Sequence, residues 1–91
     1  MSGPVRNNTA LGRFEQDLEG GVAFTTYRLS PRAITILHTE VPPSMRSTGA
    51  GSRFVRRVLQ EIRAQGLKVV PQCSFVRAFM TKNPEFNDLL S

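Results

Sequence analysis

Tryptophan is absent from this 91-residue chain, and cysteine, histidine and tyrosine occur once each. The lone cysteine, Cys73, excludes a disulfide within the chain and fits a reducing compartment. No stretch approaches the ~18 consecutive apolar residues of a membrane-spanning helix, and residues 1–8 lack the apolar run of a secretory signal. A soluble, cytoplasmic protein with no membrane partner is therefore expected. No glycine loop ends in Gly-Lys-Ser/Thr, which excludes a P-loop, and a dinucleotide-binding fingerprint would need a third glycine and an opening strand. Repeats and low-complexity segments are missing, and no metal is expected. Acidic side chains are the scarcer sign, seven against twelve Lys and Arg, and the net charge of +5 favours polyanions, nucleotide cofactors or acidic surfaces. The aromatics, Tyr27 and six Phe, fall mostly at core-like positions. A nucleic-acid reader would instead expose them along a strand, so nucleic acid is the less favoured polyanion.

What is present is enough for one thin core. At 40% hydrophobic and 21% charged residues the composition is that of a folded domain. Met1 to Asn8 reads as a poorly ordered tail and residues 9–91 as a single domain. A weak strand signal around Leu11, Phe14 and Leu18 ends at Glu19-Gly20-Gly21. The run Val22–Leu29, rich in β-branched and aromatic residues, completes a hairpin. Ala33–Val41 carries the strongest strand pattern, and period-two counting puts Ile34, Ile36, His38 and Glu40 on one face. Pro42 and Pro43 end it, so three antiparallel strands are expected before the next segment.

That next segment organises the chain. From Val41 to Arg57 a strand hands over to a helix through Arg46-Ser47-Thr48-Gly49-Ala50-Gly51-Ser52-Arg53, basic and punctuated by glycine. Free backbone N–H groups and the positive end of the helix macrodipole meet at such a junction, which suits an anion. Phe54, Val55, Val58, Leu59 and Ile62 recur at helical spacing, and Gly66 is a natural terminator, so the helix is expected over Gly51–Gln65. Leu67–Val70 is a short strand closed by Pro71. Strand, helix, strand implies a right-handed crossover and a parallel pair. Ser74–Lys82, with Phe75, Val76, Phe79 and Met80, is a second amphipathic helix, followed by a short turn or helix through Phe86, Leu89 and Leu90. The order β-β-β-α-β-α makes an α+β, α/β/α-like sandwich with a mixed sheet.

The Arg46–Gly51 loop, placed between strand and helix, matches the R/Q-x-x-G-x-G/A loop of the GNAT superfamily of acetyl-CoA-dependent N-acetyltransferases. Two further stretches resemble its small single-domain YjdJ-like branch: His38-Thr39-Glu40-Val41-Pro42 before the loop, and Val69-Val70-Pro71-Gln72-Cys73-Ser74-Phe75-Val76 after the next strand. The tail Asn83-Pro84-Glu85-Phe86-Asn87-Asp88-Leu89 resembles that branch as well, so the resemblance spans about Ala33 to Leu90.

The resemblance implies a minimal GNAT-like fold in which the parallel strands splay and acetyl-CoA lies between them. It places the pyrophosphate on the backbone of Ser47, Thr48, Gly49, Ala50, Gly51 and Ser52, with Arg46 and Arg53 as charge partners. A backbone N–H near Val69 or Val70 would polarise the thioester carbonyl. Glu40 or His38, roughly 7 Å apart by strand rise, would act as base. Cys73, at a helix N-terminus that favours a negative sulfur, would carry the acetyl group or protonate the departing thiolate. The residues alone also accommodate a surface acid at Glu40, a backbone-bonded imidazole at His38 and a small buried thiol at Cys73. Helices that usually wall the acceptor site have no counterpart, so the pocket is expected to be open or borrowed from a partner chain, as in a homodimer. The acceptor amine is not legible. Two other readings use the same residues: a non-catalytic CoA-binding module, and a nucleic-acid-binding stripe formed by Arg46, Arg53, Arg56, Arg57 and Arg63.

Overall fold

The computed structural model describes residues 3–91. The chain folds as β1 (Val5–Asn8), β2 (Arg13–Leu18), β3 (Gly21–Leu29), β4 (Ala33–Glu40), a 3-10 turn (Pro43–Met45), α1 (Ala50–Ala64), β5 (Lys68–Pro71), α2 (Ser74–Lys82) and a 3-10 segment (Pro84–Leu89). The strands form one mixed sheet in the order β1-β2-β3-β4-β5, antiparallel except for the β4–β5 pair that α1 connects.

Four strands, rather than three, precede the glycine loop. The additional one lies in the expected tail, whose first two residues are outside the described residues. β1 has little apolar pattern because polar side chains hold it to β2. Arg6 Nε donates to Glu15 Oε1 at 2.9 Å, Asn8 Nδ2 donates to Glu15 Oε2 at 3.0 Å, and Arg6 also pairs with Asp17 at 3.1 Å. Such cross-strand contacts stabilise a sheet without hydrophobic alternation. Glu15 is almost fully buried, and the guanidinium of Arg13, followed by Asn8 and Arg6, holds its carboxyl below the usual carboxylate range.

The core lies on one face of the sheet. Phe14, Ala23, Ile34, Ile36 and Val69 form a continuous cluster with Phe54, Val58, Leu59 and Ile62 of α1 and with Val76, Phe79 and Met80 of α2. α1 follows the expected amphipathic pattern and begins and ends one residue earlier than expected, at Ala50 and Ala64. The C-terminal segment is fastened to α1 by Arg56, which donates to Glu85 and Asn83 at 2.8 Å, and by Arg63, 2.6 Å from Asp88. Leu90 bridges the outer edge of β5 at Val69, and Ser91 N–H donates to Val69 O at 3.1 Å.

One irregularity redirects the end of β4. Thr26 pairs with His38 but Tyr27 pairs with Ile36, so Leu37 is an extra residue on β4, a β-bulge. Beyond it the alternation restarts with the opposite parity. Thr39 sits across from buried Thr25 on the core face, whereas His38 and Glu40, across from Thr26 and Phe24, point to the other face. Unbroken period-two counting places His38 and Glu40 with Ile34 and Ile36; the bulge overturns that grouping.

Candidate active site

The parallel ladder closes over Ala33–Ile36 and Lys68–Pro71 and then stops. Cys73 N–H donates to Ile36 O at 3.0 Å as the last link, and α2 turns away from there. The remaining half of β4, Leu37–Glu40, has no strand partner on that side among the described residues. The fork begins one residue before the bulge, and a bulged strand bends. Val69 and Val70 pair with Ile34 and Thr35 in the closed part of the ladder, below the fork, and Val69 is fully buried. The two residues expected near the thioester therefore lie outside the slot lining. The backbone closest beyond the fork is the first turn of α2.

The slot above the fork has a volume of about 360 Å3 and is lined by Thr39, Glu40, Val41, Arg46, Gly51 and Phe75. Phe75, whose spacing suggests a core position, is 43% exposed and covers the slot mouth. Gly51 makes room beneath it. A Cβ there would stand 3.0 Å from Phe75 Cζ and 3.3 Å from Val41 Cγ2, so any side chain would press on both walls of the slot.

The loop has the geometry of an anion cradle. Gly49 caps α1 with φ of 83°, a conformation L side chains avoid. Among the described residues, the N–H groups of Ser47, Gly49, Gly51 and Ser52 have no acceptor, while Ala50 N–H is bonded by Thr48 Oγ1 at 3.3 Å. No acidic residue stands in the first turn of α1 to compete for them. Arg46 reaches back across the slot, donating through Nε to Val41 O at 3.2 Å and lying 3.6 Å from Glu40 Oε2. Arg53 donates to Thr48 O at 3.3 Å. These unpaired donors and the space at Gly51 fit a pyrophosphate followed by a slender unbranched arm.

Two polar groups flank the slot. On the outer face His38 Nε2 donates to Glu40 Oε1 at 2.8 Å, and both side chains reach solvent. On the core face, Cys73 Sγ lies 3.4 Å from Thr39 Oγ1, which is 2.8 Å from Thr25 Oγ1, itself 3.1 Å from His38 O. A carbonyl can only accept, so Thr25 donates to His38 O. Thr39 then donates to Thr25, and the Cys73 S–H donates to Thr39. The thiol is thereby oriented by a hydroxyl relay rather than left as an unspecified buried sulfur. The sequence gives no sign of Thr25 and Thr39, because their pairing depends on the bulge.

The proposed arginine stripe is not continuous. Arg46 faces Glu40, Arg56 is bonded to Glu85, and Arg63 to Asp88. Arg56 and Arg63 also lie over the Phe86 ring, so they act as structural clamps.

A five-stranded mixed sheet that forks beside a strand-to-helix glycine loop has the architecture of a minimal GNAT-like fold. A family model described as GCN5-related N-acetyl-transferase matches residues 13–89, most of the chain, and the protein belongs to that family. Comparison with curated proteins gave no match. The family supports an acyl-CoA-dependent N-acetyltransferase-like role. No helix among the described residues is long and apolar enough to cross a membrane.

Proposed function

We propose that the protein transfers an acetyl group from acetyl-CoA to a primary amine, as a member of the small single-domain YjdJ-like branch. The fork carries this reading: a slot lined by Glu40, Arg46 and Gly51 lies beside the unpaired N–H groups of Ser47, Gly49, Gly51 and Ser52, with the oriented thiol of Cys73 and the His38–Glu40 pair at its flanks. Acetyl-CoA supplies the acyl group as a thioester, whose C–S bond breaks as the N–C bond to the amine forms.

The chain's own residues then have separate tasks. Gly49, Gly51, Ser52 and Ser47 bind phosphate oxygens through N–H groups, and Arg46 and Arg53 add charge. The N–H groups that open α2 stabilise negative charge at the acyl oxygen, the role expected of Val69 or Val70. Glu40 removes the amine proton, and His38 orients it through the 2.8 Å hydrogen bond. Cys73 is either the proton donor to the leaving thiolate or a transient acyl carrier. The acceptor approaches from the outer face of the sheet, which no helix covers among the described residues. The alternative of a CoA-binding module without turnover keeps the loop and discards the roles of Glu40, His38 and Cys73.

Thermal denaturation with CoA tests the site. Ligand at 100 times its dissociation constant stabilises by about 2.7 kcal/mol, and Gly51→Val should abolish the shift without unfolding the protein. No shift at millimolar CoA would remove the cofactor reading altogether. Intact mass after incubation with acetyl-CoA separates the two Cys73 roles: an acetyl adduct lost in Cys73→Ala marks a carrier. Transfer to a panel of amines, followed with labelled acetyl-CoA, separates enzyme from module.

A further inference from the structure

α1 has a second flank that the slot does not use. A groove of about 560 Å3 runs between α1 and the end of β2, and its lining shares no residue with the slot. Its floor is apolar, formed by buried Ala50 and half-buried Leu18 and Met45, and its helical wall carries Arg53, Arg57 and Gln60. A smaller hollow of about 110 Å3 shares Arg57 and Gln60 with it and continues toward β1 at Pro4 and Val5.

We propose that this groove docks an extended acidic segment of a partner protein, held by Arg57 and Arg53 over the apolar floor. The proposal does not depend on the slot being the CoA site. Arg53 and Arg57 stand four residues apart on one face of α1, where like charges repel. Neither has a carboxylate partner among the described residues: Arg53 donates to the Thr48 carbonyl at 3.3 Å, and Arg57 forms no side-chain hydrogen bond or ion pair. Arg56, the third cation of the groove, is by contrast paired with Glu85 at 2.8 Å. An incoming carboxylate relieves the repulsion and accepts two hydrogen bonds from a guanidinium fork. Gln60, on the same flank a turn beyond Arg57, offers an amide donor and acceptor to a peptide backbone.

Length and charge define the occupant. From Ala50 to Gln60 the helical wall is about 15 Å long, which an extended peptide spans with about five residues. The floor of Leu18, Met45 and Ala50 seats apolar side chains between the charged contacts. Nucleic acid suits the groove less. No aromatic among the described residues lines it to stack a base, and Glu19 at one end and Glu61 toward the other repel a continuous phosphate chain. The ligand's acids are thereby confined to its middle, opposite Arg57.

The test is fluorescence anisotropy of a labelled peptide, Gly-Leu-Glu-Glu-Glu-Leu-Gly, titrated with the full chain at fixed ionic strength in the wild type, Arg57→Gln and Lys82→Gln. Binding to the wild type should saturate, and Arg57→Gln should weaken it about tenfold. Arg57 is exposed, so its replacement leaves the core intact. Lys82, at the end of α2 and outside the groove, should change the affinity by less than about twofold when replaced. The unlabelled peptide should displace the probe better than its counterpart with serine for leucine, and better than oligothymidylate. Amide resonances of Leu18 and Gln60 should shift on binding while that of Thr39 stays. Absence of wild-type binding would overturn the proposal, as would equal losses in the two variants, which mark attraction to net charge alone. Tighter binding of oligothymidylate would overturn it in favour of nucleic acid. Since Arg57 lies outside the slot, peptide binding and the CoA-induced thermal shift fail independently of each other.

Discussion

The two halves of β4 have equal length and opposite tasks. Ala33–Ile36 is hydrogen-bonded on both sides, to β3 and to β5, and Ile34 and Ile36 are almost fully buried. Leu37–Glu40 is bonded on one side only, and its side chains line a slot or meet solvent. What separates the halves is one inserted residue, Leu37. A strand can thus serve as core and as active-site wall within eight residues, provided its alternation is reset where the function changes.

Removing the reset is the largest test of this contrast. In a Leu37 deletion, Ile36 still points inward and His38 outward, so the core and the outer face retain their residues. The bend and one residue of reach are lost. The expected outcome is a cooperatively folded protein with no CoA-induced thermal shift and no transfer activity. A retained shift would show that the fork does not depend on the bulge. A smaller but still large effect is expected from Glu40→Gln, which keeps the shape of the open half and removes its proton acceptor. Transfer should fall by about 10²–10⁴-fold, with CoA binding preserved. Unchanged turnover would return Glu40 to the role of a surface acid.

The closed half should respond in stability instead. Ile36→Ala is expected to cost about 2–5 kcal/mol in urea unfolding, whereas Leu37→Ala, at a partly exposed bulge, should stay within about 0.5 kcal/mol. Activity per folded molecule should be little changed in Ile36→Ala. A drop in transfer at constant folded fraction would mean that the two halves are mechanically coupled and the division is not real.

The division also marks what the sequence discloses. The α1 stripe, the β3 and β4 strands, the glycine loop and the terminator Gly66 all follow from local patterns, because their residues face the core or adopt special backbone angles. The position of Cys73 beside the fork follows from the order of strand, helix and strand. The bulge does not, since an extra residue in a β-branched run leaves the composition unchanged and only the β3 register exposes it. β1 was likewise hidden, its ties being polar contacts to Glu15 and Asp17 rather than apolar alternation. Phe75 looked like core because its helical spacing is correct. It lies one position from Val76, at the edge of the buried stripe, where Gly51 leaves it room to cover the slot. Val69 and Val70 lie on the expected strand and pair with Ile34 and Thr35, and where that pairing ends is set by the register and not by local pattern.

The smallest predicted effect concerns what braces the closed half from outside. Leu90 and Ser91 cover the free edge of β5, and the segment before them is fastened through Glu85 and Asp88. Hydrogen bonds from Arg56 and Arg63 respectively hold these two carboxyls below the usual carboxylate range. A carboxyl whose folded pKa is depressed contributes stability above its unfolded value, and that contribution is lost as pH falls through the folded value. The window therefore lies below about pH 4, the ordinary carboxylate region. Hydrogen exchange across that window should show earlier loss of protection at Leu90 and Ser91 than at Ile34 or Ile36, and Asp88→Asn should move the onset to higher pH. The amides of Thr39 and of Arg53, which donates to Gly49 O at 3.1 Å, should not follow the same midpoint, because neither touches the clamp. If the slot loosened together with the C-terminal segment, the brace would extend across the fork, and the open half of β4 would depend on the edge of β5 after all.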